Sequence, residues 1–120
     1  MKYRGKRADN GDLVYGNYFH NFRKGESHNI VDYDSNEWYE VEKETVSIYL
    51  GRKDKNGKEI YTNDKVKYRN KEYQVRYFEE YGAFGLYDKE KDRPLGRSGS
   101  STRYEPYFMT DYHTRQMEII

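Results

Sequence analysis

The chain has 120 residues, 22 basic and 21 acidic side chains, a net charge of +1 and no cysteine, which suits one domain and excludes disulfides, thiolate nucleophiles and cysteine-ligated zinc. Leu, Ile, Val and Phe supply only 20 residues, but the 15 tyrosines can bury their rings while their hydroxyls reach water, so a folded, tyrosine-rich sheet is expected rather than disorder. No run approaches the roughly 18 apolar residues of a spanning helix and MKYRGKRADNG has no apolar signal region, so neither a membrane protein nor a secreted one is expected, and the lack of cysteine fits a reducing cytoplasm.

In chain order, Tyr3 to Asn21 reads as two strands around an Asp9-Asn10-Gly11-Asp12 turn, because Asn-Gly tolerates the positive φ angles of a type I′ hairpin. Arg23 to Asn29 is polar and reads as a loop before a brief strand at Ile30 and Val31, followed by a turn over Asp32 to Asn36. Tyr39 and Val41 alternate with acidic residues, and Glu42 to Thr45 forms a link of about one helical turn. Val46, Ile48 and Leu50 begin the best-organised stretch, which crosses an Asn56-Gly57 turn to Glu59–Tyr61, bends at Thr62-Asn63-Asp64 and resumes as a strand over Lys65–Tyr68. A tight connection at Arg69-Asn70-Lys71 leads to Tyr73, Val75 and Tyr77, and a turn through Gly82 leads to Phe84 to Tyr87. Asp88 to Arg103 reads as a long loop, Thr110 to Gln116 as one or two helical turns, and the apolar end as a strand that closes the sheet.

These elements predict a mainly β fold: a small, strongly bent antiparallel sheet or SH3-like barrel with an N-terminal hairpin and at most short helices. The expected organisation is one domain over 1–120, with an N-terminal hairpin and connecting strands (1–45), a central β-meander (46–87), a flexible loop (88–103) and a closing segment (104–120).

Chemistry is harder to find. His20, His28 and His113 have no paired spacing, so no metal site is expected, and no cofactor either. Asp32-x-Asp34-x-Asn36 imitates the start of a calcium loop, but Glu37 stands where glycine is required and Lys43 where a glutamate belongs, so an Asx turn is the better reading. Glu79-Glu80 suits a solvated turn, and nucleophile-elbow, Walker and dinucleotide motifs are absent. The expectation is therefore a non-enzymatic protein.

Residues 51–72 hold 8 basic and 4 acidic groups, a local surplus of +4 that suits an anionic partner without reaching the basicity of a dedicated nucleic-acid binder. Arg52, Lys65, Lys67, Tyr68 and Arg76 interleave with Tyr61, Tyr73 and Tyr77, a composition able to stack bases and neutralise phosphates. The plainer account is a tyrosine core with lysines on the outer face, since alternation alone produces it. Arg97, Ser98, Ser100 and Arg103 form a second candidate, a loop able to wrap an anion through amides and hydroxyls, or simply a solvent loop. Asp54, Asn56, Gly57 and Asp64 are read as turn formers, with Asp64 accepting from a backbone amide in the bend that follows it.

Glu44-Thr45-Val46, Tyr49-x-Gly51, Asp54-Lys55-Asn56-Gly57-Lys58-Glu59-Ile60-Tyr61 and Asp64-x-Val66 together resemble the signature of the YopX family of phage and prophage proteins. The resemblance extends upstream through Val14-Tyr15-Gly16, His28-x-Ile30 and Tyr39-x-Val41, and downstream through Tyr73-x-Val75 and Gly82-x-Phe84. Arg52 replaces an expected hydrophobic residue, and Thr62-Asn63 an acidic-glycine pair. The resemblance implies a mobile-element protein of a Gram-positive host and a homo-oligomer, and carries no established chemistry. It sets the functional expectation: an accessory protein acting by binding in the host cytoplasm, in counter-defence or host takeover, on a host defence protein or a nucleotide signal. The alternative is a single-stranded nucleic-acid-binding module that uses the basic-aromatic sheet face.

Overall fold

The computed structural model describes residues 2–23, 25–80, 82–95 and 111–120, with backbone only at position 111. The chain divides into two compact units, 1–49 and 50–120. In the first unit, β1 (Tyr3–Lys6), β2 (Leu13–Asn21), β3 (Ser27–Asp32) and β4 (Trp38–Glu40) form an antiparallel sheet in the order β4-β3-β2-β1. A 3-10 turn over Lys43–Thr45 leads into β5 (Ser47–Lys53), whose first residues pair with β1 and whose later residues enter the second unit.

Strand alternation builds the first core. Val14 and Ile30 point inward with Val41, and the rings of Tyr3, Tyr18 and Tyr39 and the side chain of Val46 close around them. Four aliphatic residues suffice because tyrosines supply the remaining apolar area. Gly16 permits the close approach of β2 and β3: a Cβ there would lie 1.7 Å from the Val31 carbonyl oxygen, a backbone atom that cannot swing aside.

The hairpin between β1 and β2 is present, but its turn differs from the type I′ expectation. Arg7 N–H donates to the Asp12 carbonyl at 2.8 Å and Gly11 N–H to the Arg7 carbonyl at 2.9 Å, enclosing a longer loop. Gly11 takes a φ of 77°, while Asn10 instead uses its side-chain oxygen to accept from the Asp12 amide at 2.9 Å. The pair of positive φ angles typical of a type I′ turn occurs elsewhere, at Arg69 (51°) and Asn70 (63°). The calcium-like run is the expected Asx turn: Asp32 Oδ1 accepts from the amides of Asp34 at 2.8 Å and Ser35 at 3.1 Å. The Ser35 and Asp34 amides hold the Asp32 carboxyl below its ordinary range.

In the second unit, β6 (Glu59–Tyr61) lies beside β5. A further antiparallel sheet has the order β10-β9-β8-β7-β11, built from β7 (Lys65–Tyr68), β8 (Lys71–Phe78), β9 (Ala83–Asp88), β10 (Arg93–Pro94) and β11 (Glu118–Ile119). One helical turn, α1 (Asp111–Thr114), precedes β11. The core gathers Ile60, Val66, Tyr68, Tyr73, Val75, Leu86 and Met117. The fold is thus mainly β, as expected, and among the described residues the sheets do not close into a barrel. β10 falls inside the expected flexible loop, where Arg93 opposes Asp88 and Pro94 opposes Tyr87. β11 is the anticipated closing strand, with Ile119 opposite Val66.

One carboxylate joins the middle of the chain to this last strand. Asp54 Oδ1 accepts from the amides of Asn56 and Lys58, each at 2.9 Å, and Oδ2 accepts from the amide of Ile119 at 3.1 Å. The Lys55 amide donates to the Met117 carbonyl at 2.9 Å beside it. Burial opposes the Asp54 charge, yet the Ile119, Lys58 and Asn56 amides prevail and hold its carboxyl below the usual range.

Because this folded-state pKa is depressed, the Asp54 contribution is complete above the unfolded value of about 3.9 and is lost as pH falls through the folded value. Asp54→Asn is expected to lower stability in urea unfolding by about 1–3 kcal/mol at neutral pH, since an amide cannot accept at both ends. The variant's stability should also depend less on pH through the acid range. Gly16→Ala is expected to cost about 1–3 kcal/mol through overpacking against the Val31 carbonyl, again read from urea midpoints.

Candidate ligand-binding face

The residues that fill the second core also determine its outer surface. With Val66, Tyr73, Val75 and Leu86 turned inward, period-two alternation leaves Lys65, Lys67, Glu72, Gln74, Arg76 and Tyr87 on the opposite face. Lys65 opposes Gln74, and Gln74 opposes Tyr87, so three strands contribute one continuous row. Lys65, Glu72, Gln74, Arg76, Tyr87 and Lys89, with Tyr73, line a depression of about 440 Å³. Three cations thus face one carboxylate.

At its floor the Arg76 guanidinium carbon lies 3.7 Å from the centroid of the Tyr87 ring. Arg76 Nε donates to Gln74 Oε1 at 2.7 Å, and the Tyr87 hydroxyl donates to Asp92, so both members of the stack are held from outside it. The turn that carries Lys89 is fixed by Asp88, which is 3% exposed. Asp88 accepts from Lys71 Nζ at 2.8 Å and from the amides of Glu90 at 3.1 Å and Lys91 at 3.3 Å. The Lys71 hydrogen bond, opposed by burial, holds the Asp88 carboxyl below its ordinary range, and the same contact raises Lys71. Lys71 is therefore committed to shaping the turn.

Of the residues expected to touch a ligand, Lys65 and Arg76 meet in this depression. Lys67 is exposed on the same strand, opposite Glu72 and Glu118, but does not line the depression. Arg52 is exposed on β5 and does not line the depression. Tyr68 requires correction: at 2% exposure it belongs to the core, as do Tyr61 at 2% and Tyr73 at 9%. Alternation explains this, since it sends lysines outward and tyrosines inward on the same strands. Tyr77 is exposed but has the parity of Val75 and packs its ring edge-on to Phe84 at 5.1 Å.

Arg97, Ser98, Ser100 and Arg103 lie outside the described residues. Asp54, Asn56 and Gly57 form the expected turn, with Gly57 at a φ of 79°. Asp64 differs in direction, because Asn63 takes a φ of 74° and Asp64 Oδ2 accepts from the preceding Tyr61 amide at 2.9 Å.

Gln74, Tyr87 and Lys89 were not anticipated as site residues. Their signal is register rather than local composition, as Gln74 sits between Lys65 and Tyr87 only once three strands are aligned. Register also pairs two of the histidines. His20 and His28 are eight positions apart without a ligand-like spacing, yet they stand directly opposite each other on β2 and β3.

No curated protein and no solved structure matches the chain. The family model described as YopX protein matches residues 2–105, which takes in every strand from β1 to β10. With most of its length covered, including nearly all of the first unit and most of the second, the chain belongs to the YopX family.

Proposed function

We propose that this YopX-family protein works by binding rather than by catalysis, and that the ligand is single-stranded nucleic acid laid across the outer face of β7, β8 and β9. The supporting observation is the Arg76 guanidinium carbon 3.7 Å from the centroid of the Tyr87 ring, in a depression also lined by Lys65 and Lys89. Arg guanidinium planes and tyrosine rings are both surfaces on which an unpaired base stacks, and every base has a π-face to meet them. Lys65 and Lys89 then neutralise flanking phosphates. A shallow sheet face tolerates a strand that enters and leaves, which suits an oligonucleotide better than an enclosed small molecule. As an accessory protein of a phage or prophage, such a binder serves counter-defence or host takeover by occupying nucleic acid or a nucleotide signal.

Anisotropy titration of a fluorescent oligothymidylate should show binding that weakens with salt, with a log–log slope of about −2 for three neutralised phosphates. Arg76→Ala should weaken it about 10- to 100-fold through the lost stack, and Lys65→Gln should flatten the slope by about 0.7. Lys67→Gln, outside the depression, should change little. Undetectable binding at low salt, or affinity indifferent to Arg76 and Lys65, would overturn the assignment. Competition with mononucleotides and cyclic dinucleotides distinguishes a nucleotide signal from a strand.

A further inference from the structure

We infer that His20, Glu26 and His28 form a binding site for a divalent transition metal ion of the zinc class, at the end of the β2–β3 hairpin. His20 and His28 are a directly opposed cross-strand pair, and Glu26 immediately precedes β3. Gly25, at a φ of 89°, takes a backbone conformation that side chains rarely adopt and brings the chain back toward the pair. Glu26 Oε1 lies 2.6 Å from His20 Nε2 and 3.5 Å from His28 Nε2. One ligand atom from each residue falls within 4.8 Å of the others. A tetrahedral ion with bonds of 2.0–2.1 Å needs donors about 3.3 Å apart, a spacing that small rotations of the two rings and the carboxylate reach from this starting point.

The surroundings favour an ion over a simple hydrogen-bonded cluster. His20 Nε2 is shielded from solvent, yet among the described residues it has no hydrogen-bond partner of proper geometry, the close Glu26 oxygen included. The two imidazoles are stacked with centroids 4.2 Å apart, and the centroid of the tilted Phe22 ring lies 3.9 Å from that of His20. His28 is 8% exposed, and its Nδ1 is 2.5 Å from the Tyr18 hydroxyl. In the tautomer whose Nδ1–H donates to that oxygen, the His28 Nε2 that lies 3.5 Å from Glu26 is left as a lone-pair donor, the outer-sphere support that metal-bound histidines commonly have. Two imidazoles and one carboxylate suit zinc better than calcium or magnesium, which prefer all-oxygen shells. Glu26 is half exposed, so the fourth position opens to water or to an external ligand, the arrangement of zinc sites with three protein ligands.

The site stands apart from the nucleic-acid reading and is tested separately. Untagged protein, stripped with a chelator, is titrated with cobalt(II) chloride and then with zinc chloride in competition. The expected result is one equivalent of cobalt with visible bands of tetrahedral intensity, displaced by zinc, and a melting temperature raised by zinc. His20→Ala should abolish the bands, Glu26→Gln should weaken binding at least tenfold, and His113→Ala should leave both readouts unchanged. Glu26 is exposed enough for its substitution to leave folding intact, so the test does not depend on a variant of buried His28. Absence of cobalt or zinc binding by the wild-type chain, or equal binding by the His20 and Glu26 variants, would overturn the inference.

Discussion

Three backbone amides from two distant parts of the second unit converge on the carboxylate of Asp54. Two belong to the turn that Asp54 itself begins, and the third belongs to Ile119, 65 positions further along. A turn and a terminal strand are thereby held by one charged group, and hydrogen bonds to a charge are worth more than neutral ones. β11 is only two residues long and, among the described residues, pairs with β7 alone, so its own ladder contributes little. The Asp54 bond and the adjacent Lys55 to Met117 bond fix its register and place Met117 in the core. Core, turn and last strand therefore depend on one another.

The same economy governs the tyrosines. A chain poor in aliphatic residues covers two small cores by turning rings inward, and the charged residues between them are left to form the surface. On β7, β8 and β9 that leftover surface is where basic groups gather around Tyr87. Buried Asp88, held by Lys71 and two amides, sets the turn after β9, so interior chemistry determines where an exposed lysine stands.

Much of the fold was legible from local pattern. Period-two alternation located β6 and β7 at their observed limits, and Asn56-Gly57 and the Asp32 run were read correctly as turns. Backbone choices that depend on tertiary context were not legible. Asn10-Gly11 has the composition of a type I′ turn, yet the longer loop closed by Arg7 and Asp12 prevails, while Arg69-Asn70 adopts the mirror-image angles without a glycine. The candidate site was legible in its cations and not in its aromatics. Lys65 and Arg76 alternate with visible core residues, but Tyr87 joins them through the register of a third strand, and Tyr68 has the parity of the interior. His20 and His28 were hidden for the same reason, since the partners of a hairpin are set by where its turn falls.

Pro94 gives the second sheet a protected edge. It lies on β10, the outermost strand on that side among the described residues, and proline has no amide hydrogen to offer a further strand. A row of unpaired donors and acceptors at a sheet edge invites another chain to dock and propagate. Keeping this strand to two residues, one of them proline, denies a newcomer the continuous ladder that self-association through that edge requires.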